Sequence, residues 1–388
     1  MSYSVLARRY RSRSFDEVVG QEPIARTLRS AIEQGRVAHA YLFTGTRGVG
    51  KTSMARIFAK ALNAPGDNPP DVAEAIMKGR DTDVIELDAA SNRGIDDARE
   101  VIASAVYRPL RGRYKVYIID EVHMLTREAF NALLKTMEEP PDHVVFILCT
   151  TESHKVPATI QSRCQRFDFR NISTAGIADH LAEVVTREAH TADAELVHAV
   201  ARLAAGSMRD GLSLMDRLMA AGQKHLTLDL LEELLGLPDR QVLGAMIAAM
   251  ADGDIAGALK RCDELLCKGI GVEQLLMSLA ERLRDLMVMS ACGPETDLVE
   301  LTGDSRSEAV ALAGRFDAAG LVHMIALCDA AARNGRSSPS ARAVLDALVV
   351  RMALTEKIAD VTAIVAGSGA STCTGAGARN GSAAAKKR

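Results

Sequence analysis

The sequence predicts an α/β fold in its first half, a mostly parallel sheet covered by helices on both faces, and an all-helical remainder. Three observations carry that expectation. Short apolar, β-branched runs alternate with helical patterns up to about residue 175, the order of elements that builds parallel sheets. The first such run feeds a glycine-rich segment that opens directly into a helix. Past 175 no strand-type run recurs, while apolar residues keep helical spacing to about residue 366.

Residues 40–44, Ala-Tyr-Leu-Phe-Thr, read as a buried strand, and 52–62 as the helix that follows the glycine-rich turn. Residues 84–87, 116–119 and 144–149 are further apolar runs of strand length. Between the last two, Phe130, Leu133, Leu134 and Met137 share one face of a helix over 127–139. Pro140-Pro141 ends it, because proline lacks the N–H and crowds the preceding turn. Patterns over 180–190, 195–205 and 209–221 predict a small helical domain, and Pro238-Asp239 marks its end. Helix then follows helix, 272–289 being an example, up to a Gly/Ser/Ala/Thr-rich tail ending Lys-Lys-Arg. That tail has too little apolar surface to order itself. The expected division is therefore 1–178 α/β, 179–240 small helical domain, 241–366 larger helical domain and 367–388 disordered tail.

A chain of 388 residues has room for two or three domains. Aromatic residues make up only 4% and tryptophan is absent, which leaves little for a binding mode that stacks bases on rings. Residues 1–178 carry 25 Lys/Arg against 22 Asp/Glu, whereas 179–366 carry 18 against 28, so nucleic-acid contact is expected on the first part. Seven cysteines form no Cys-x-x-Cys pair, a pattern expected of reduced thiols. The first residues lack the apolar core of a signal peptide. No stretch approaches the ~20 apolar residues of a membrane span. The expected location is cytoplasmic, with no membrane partner.

The strongest chemical signal is Gly45-Thr46-Arg47-Gly48-Val49-Gly50-Lys51-Thr52, which fits G-x-x-x-x-G-K-[ST] at every fixed position, after a strand and before a helix. Its glycines let backbone N–H groups curl around phosphate oxygens at a helix N-terminus. Lys51 is expected to reach the β- and γ-phosphates of ATP, and the Thr52 hydroxyl to ligate Mg²⁺. Downstream, the strand Val-Tyr-Ile-Ile ends in Asp120-Glu121. Asp120 is expected to hold Mg²⁺ through water and Glu121 to orient the attacking water, which favours hydrolysis over kinase chemistry. A second strand ends in Thr150-Thr151-Glu152. Strand C-termini of a parallel sheet face the ligand crevice, so either threonine is a candidate for γ-phosphate or water contact. Arg163 in Ser-Arg-Cys and Arg209 in Gly-Ser-Met-Arg-Asp are unremarkable taken singly.

In order along the chain these segments resemble the AAA+ ATPases, and more narrowly the gamma/tau subunits of the bacterial DNA polymerase III clamp loader. The matching stretches are Leu6-Ala-Arg-Arg-Tyr-Arg, Phe15-Asp-Glu-Val-Val-Gly-Gln21, the phosphate loop, Leu87-Asp-Ala-Ala-Ser-Asn-Arg93 and Asp120-Glu-Val-His-Met-Leu125. Phe130-Asn-Ala-Leu-Leu-Lys-Thr-Met-Glu-Glu-Pro-Pro141, Ser162-Arg-Cys164 and Gly206-Ser-Met-Arg-Asp-Gly-Leu-Ser213 complete the set. The resemblance runs from about residue 3 to about 240. It implies that Arg163 is an arginine finger for a neighbouring subunit's ATP site. Thr151, in preference to Thr150, is implied as the sensor at the strand end, and Arg209 as the second sensor, on the helical lid. Arg11, Val18 and Val19 are implied to line the adenine and phosphate pocket. Arg93 and Arg99 are the candidates for DNA phosphate contact.

The same resemblance makes 241–366 an oligomerising collar and the chain an ATPase acting as a component of DNA polymerase III. Its implied partners are the other subunits of a hetero-pentamer, the sliding clamp, primer–template DNA and the polymerase III core. Two departures matter. Relatives carry four zinc-binding cysteines after the phosphate-loop helix, whereas 63–79 contains none, so no zinc is expected. The long tau-type C-terminal extension is also missing, so a short gamma-type form is expected. Another AAA+ DNA motor, such as one for branch migration, and a non-hydrolysing scaffold subunit are the alternative readings. The second is disfavoured by the intact phosphate loop.

Overall fold

The computed structural model describes residues 5–91, 105, 107–296, 298–299, 301, 303–338 and 340–368. Contacts divide the chain into two compact units, meeting between Leu228 and Asp229. That is some ten residues before the Pro238-Asp239 boundary expected from sequence. The expected break at 178/179 falls inside the first unit.

The first unit is built on five parallel strands, β1 (Ala40–Thr44), β2 (Val84–Asp88), β3 (Lys115–Asp120), β4 (Val144–Thr150) and β5 (Gln165–Asp168), in the order β2-β3-β4-β1-β5. β1 and β4 are buried at every position, as central strands covered on both faces must be. The alternation of side chains sorts them into two cores. Tyr41, Phe43, Val116, Ile118, Val145 and Ile147 face one layer, where α2 (Glu22–Glu33), α3 (Lys51–Asn63) and α4 (Pro70–Met77) pack. Leu42, Tyr117, Ile119, Phe146 and Leu148 face the other, against Phe130, Leu133 and Met137 of α5 (Arg127–Glu138). Thr126 caps α5 by accepting from the Ala129 N–H, and the helix stops at Glu138 before the prolines.

β5 has no apolar run and lies mostly exposed at the sheet edge, where charged side chains discourage further pairing; sequence periodicity gives no sign of it. Residues 63–79 fold as a turn and α4, held by burial of Val72, Ala73 and Ile76 against α3. A short α1 (Leu6–Arg9) precedes the sheet layer, and α6 (Ala158–Gln161) leads into β5. Arg93 and Arg99 lie outside the described residues.

After β5 come α7 (Thr174–Arg187), α8 (Ala194–Leu203) and α9 (Met208–Ala220). Ser173 and Ser207 cap the first and last of them by accepting backbone N–H groups. Contrary to the expectation that strands stop at 175, a two-residue parallel pair, β6 (Thr191–Ala192) with β7 (His225–Leu226), ties the ends of this bundle together. Two residues per strand are too few to register as a period.

The second unit comprises most of α10 (Leu228–Leu235), then α11 (Arg240–Ala251), α12 (Ile255–Cys267), α13 (Val272–Cys292), α14 (Gly303–Ala313), α15 (Ala318–Ser337) and α16 (Ala341–Ser368). On α13, Leu275, Leu276, Leu279, Leu283 and Leu286 form a buried stripe at three- and four-residue spacing. They meet Leu321 and Met324 of α15 and Leu345 and Val349 of α16. α16 runs to Ser368, two residues into the segment expected to be tail; residues 369–388 lie outside the described residues. Among the described residues no single helix is long and apolar enough to cross a membrane.

Candidate functional site: a phosphate loop against a carboxylate pair

The parallel register brings the chemistry to one edge. Thr44 at the end of β1 is level with Thr150 at the end of β4, and Asp88 is level with Asp120. The loop 45–50 therefore leaves β1 beside the strand-end carboxylates and returns as α3. Gly45, Gly48 and Gly50 have φ of 145°, 80° and 100°, values that L side chains resist. At Gly48 space forbids a side chain as well, because a Cβ would fall 1.9 Å from the Ser207 Oγ at the start of α9.

Lys51 is buried at the first turn of α3, and its ammonium donates to the carbonyls of Gly45 and Thr46, both at 2.7 Å. An ammonium has three donors, so one is left for a further acceptor. Burial lowers the Lys51 pKa, with the nearby Arg209 acting the same way and Glu121 and Asp120 opposing it. The Thr52 hydroxyl donates to Asp120 Oδ2 at 2.7 Å. Burial raises the Asp120 pKa against this hydrogen bond and one from the Glu121 N–H.

Glu121 occupies the left-handed region, φ 48°. Such strain in a non-glycine residue persists only where surroundings hold it. Its carboxylate accepts from the Thr151 hydroxyl at 3.0 Å and the Thr151 N–H at 3.3 Å. The two threonines are thereby distinguished. Thr151 reaches Glu121, whereas Thr150 is fully buried and shares a 3.0 Å hydrogen bond with His123 Nδ1. His123 also lies 3.5 Å from Glu121 and 3.6 Å from Glu152.

A cleft lies over this edge. Arg11, Val18 and Val19 from the N-terminal segment line it, as do Arg47 to Thr52, Asp120, Glu121 and Arg209. Arg163 is not among its lining residues. That guanidinium is about one-third exposed after α6, donating to the Thr159 carbonyl at 2.8 Å and to Glu138 at 3.0 Å. Sequence reasoning missed Tyr10, His180 and Leu212, which also line the cleft. Tyr10 lies in a segment already singled out, but nothing in the spacing of His180 or Leu212 sets them apart from ordinary helix positions. It also gave no role to His123, although the residue lies within a quoted motif.

Thr52 and Asp120 supply oxygen donors side by side, which suits Mg²⁺, an ion that takes one or two protein oxygens and completes its shell with phosphate and water. Among the described residues no cluster of three or more His, Cys, Asp or Glu is placed to hold a metal ion.

Fold and cleft define a nucleotide-binding protein of the P-loop class with AAA+ architecture. Three family profiles match, described as DNA polymerase III, delta subunit (20–173), DNA polymerase III clamp loader subunit, ATPase lid domain (176–224), and DNA polymerase III subunits gamma and tau domain III (226–366). DNA polymerase III subunit tau of Bacillus subtilis is 43% identical over 74% of this chain and 52% of its own length. The Escherichia coli subunit tau is 40% identical over 78% of this chain and 48% of its own. Subunit gamma of Buchnera aphidicola is 40% identical over 62% of this chain and 68% of its own. The chain belongs to the DNA polymerase III gamma/tau family of AAA+ clamp-loader ATPase subunits. It spans about half the length of the tau relatives it matches.

Proposed function

We propose that this chain is an ATP-hydrolysing motor subunit of a DNA polymerase III clamp loader, working in the cytoplasm to load the sliding clamp onto primed DNA. The observation that supports this best is the joint placement of Lys51, Thr52, Asp120, Glu121 and Thr151 at one sheet edge. Residues 45–52 would cradle the triphosphate with backbone N–H groups, and the free donor of Lys51 would take a β- or γ-oxygen. Thr52 and Asp120 would hold Mg²⁺, directly and through water. When bound, that ion would supply neutralisation of the triphosphate's charge. Glu121 would orient and polarise the attacking water, with Thr151 fixing its carboxylate. Arg11, Val18 and Val19 would line the adenine and phosphate pocket. Arg209, at the start of α9, would report the γ-phosphate to the helical lid.

Arg163 would act in trans, stabilising transition-state charge in a neighbouring subunit's cleft. Its exposure, and its position outside its own cleft, support that role. In this reading 1–178 is the motor domain, 179–240 the lid and 241–366 the oligomerising collar. The other clamp-loader subunits, the clamp and primer–template DNA are the partners.

The test is ATP turnover by the reconstituted complex. Clamp plus primed DNA is expected to stimulate it more than plain duplex does, and Lys51→Ala in this chain is expected to abolish the chain's own nucleotide binding or turnover. Equal stimulation by plain duplex would favour another DNA motor. Unimpaired binding and turnover in the Lys51 variant would refute the site.

A further inference from the structure

Beside the nucleotide cleft, and sharing Arg11 and Arg209 with it, lies a groove of about 950 Å³ between α1, α3, α4 and α9. Among the described residues nine Lys or Arg line it against two acidic ones, Asp67 and Glu74. Four of the cations are compensated: Lys60 pairs with Asp67, Lys78 with Glu74, Arg56 with Glu86 and Arg9 with Glu188. Five are not. Among the described residues Arg8, Arg11, Arg13, Arg80 and Arg209 make no ion pair, although all five open onto the same concavity. Arg11 is half-buried there, and its pKa is pulled down to about 10 by burial and by the neighbouring Arg56. Guanidinium groups gathered on one concave surface repel one another unless an anion joins them. Of the five, Arg11 alone is withdrawn from water, while Arg8, Arg13, Arg80 and Arg209 are exposed and open to a ligand.

A triphosphate in the cleft would account for Arg11 and Arg209 alone. Arg8, Arg13 and Arg80 line only the groove. Its volume suits a small ligand, and guanidinium forks match phosphate oxygens bidentately. Among the described residues no aromatic lines it, which leaves bases nothing there to stack on, and a groove of about 950 Å³ holds a short phosphate chain but not the body of a duplex. We propose that this groove is a second anion site, distinct from the nucleotide cleft, which takes a short condensed-phosphate chain and does not read a base. The inference rests on the nucleotide reading only in assigning Arg11 and Arg209 to both ligands.

The probe is labelled tripolyphosphate in equilibrium dialysis against the full chain, with AMP-PNP and Mg²⁺ saturating the cleft and AMP-PNP occupancy followed in the same samples. One tripolyphosphate per chain is expected to bind without displacing AMP-PNP. The double variant Arg13→Ala/Arg80→Ala is expected to weaken it at least about tenfold and leave AMP-PNP affinity unchanged. Adenosine 5′-tetraphosphate in excess of that needed to fill the cleft is expected to match tripolyphosphate in the groove. Absence of a second binding event while AMP-PNP is bound would overturn the proposal, as would tripolyphosphate binding that survives the double variant. Tighter binding there of oligoglutamate or of a single-stranded oligonucleotide would also overturn it, in favour of an acidic protein or nucleic-acid partner. Failure of AMP-PNP itself to bind would instead strike at the nucleotide reading.

Discussion

At the residue scale, Glu121 combines three things: a strained backbone, a carboxylate tied to Thr151 and a contact with His123. Glu121→Gln keeps the size and can still accept from Thr151, but removes the carboxylate proposed to polarise the attacking water. Nucleotide affinity is expected to hold while single-turnover hydrolysis falls on the order of 10²–10⁴-fold; a rate within threefold of the parent chain would remove Glu121 from the chemistry. Gly48 makes a different demand. Alanine there faces both a left-handed φ and the Ser207 hydroxyl, a penalty of about 1–3 kcal/mol from the backbone alone. Gly48→Ala is expected to weaken fluorescent ATP analogue binding by about tenfold or more, and undiminished affinity would show that loop and α9 can separate freely. Most of this site was legible because the phosphate loop and Asp120-Glu121 are contiguous and each type of residue has one chemical use at that spacing. Arg11, Arg163 and Arg209 were singled out only through family resemblance, and the fold brings Arg11 and Arg209, but not Arg163, to the cleft. A lone arginine carries no pattern, and what distinguishes these three is where the fold puts them.

At the scale of elements, apolar period predicted β1 to β4 and, of the helices that cover them, α3 and α5, each within about a residue at either end; it gave no helix over 22–33. β5 escaped because an edge strand buries almost nothing. The lid pair β6 and β7 escaped because it is too short. A further structural residue hidden from pattern reading is Asp83, just before β2. Its carboxylate is buried and accepts the N–H groups of Leu110, Arg111 and Gly112 at 2.7–2.8 Å, anchoring the chain that enters β3. Burial by itself would raise its pKa, but those three N–H groups outweigh it and hold the carboxyl below its ordinary value. A depressed carboxyl stabilises the fold above its unfolded pKa, about 4, and that contribution is lost as pH falls through the lower folded value. Asp83→Asn is therefore expected to cost about 1–3 kcal/mol at neutral pH in urea unfolding, and less at pH below 4. A cost that stays constant or grows on acidification would contradict the assignment.

At the scale of the whole molecule, the charge balance read from sequence foreshadowed a basic first part but not its focus. The groove beside the cleft draws its arginines from residues 8–13, 56, 80 and 209, too scattered for any window to collect. The division into two units follows from where strands and helices bury their apolar faces. Assembly is a separate matter: Arg163 lies outside this chain's own cleft, so turnover is proposed to require a neighbour. The most direct test is steady-state and single-turnover hydrolysis by the reconstituted complex with Arg163→Ala in this chain, alongside ATP affinity of the same samples. The expected result is near-normal affinity with hydrolysis reduced on the order of 10³-fold or more. Full hydrolysis by the variant complex, or an isolated chain that is as active as the complex and insensitive to loss of Arg163, would contradict cleavage in trans.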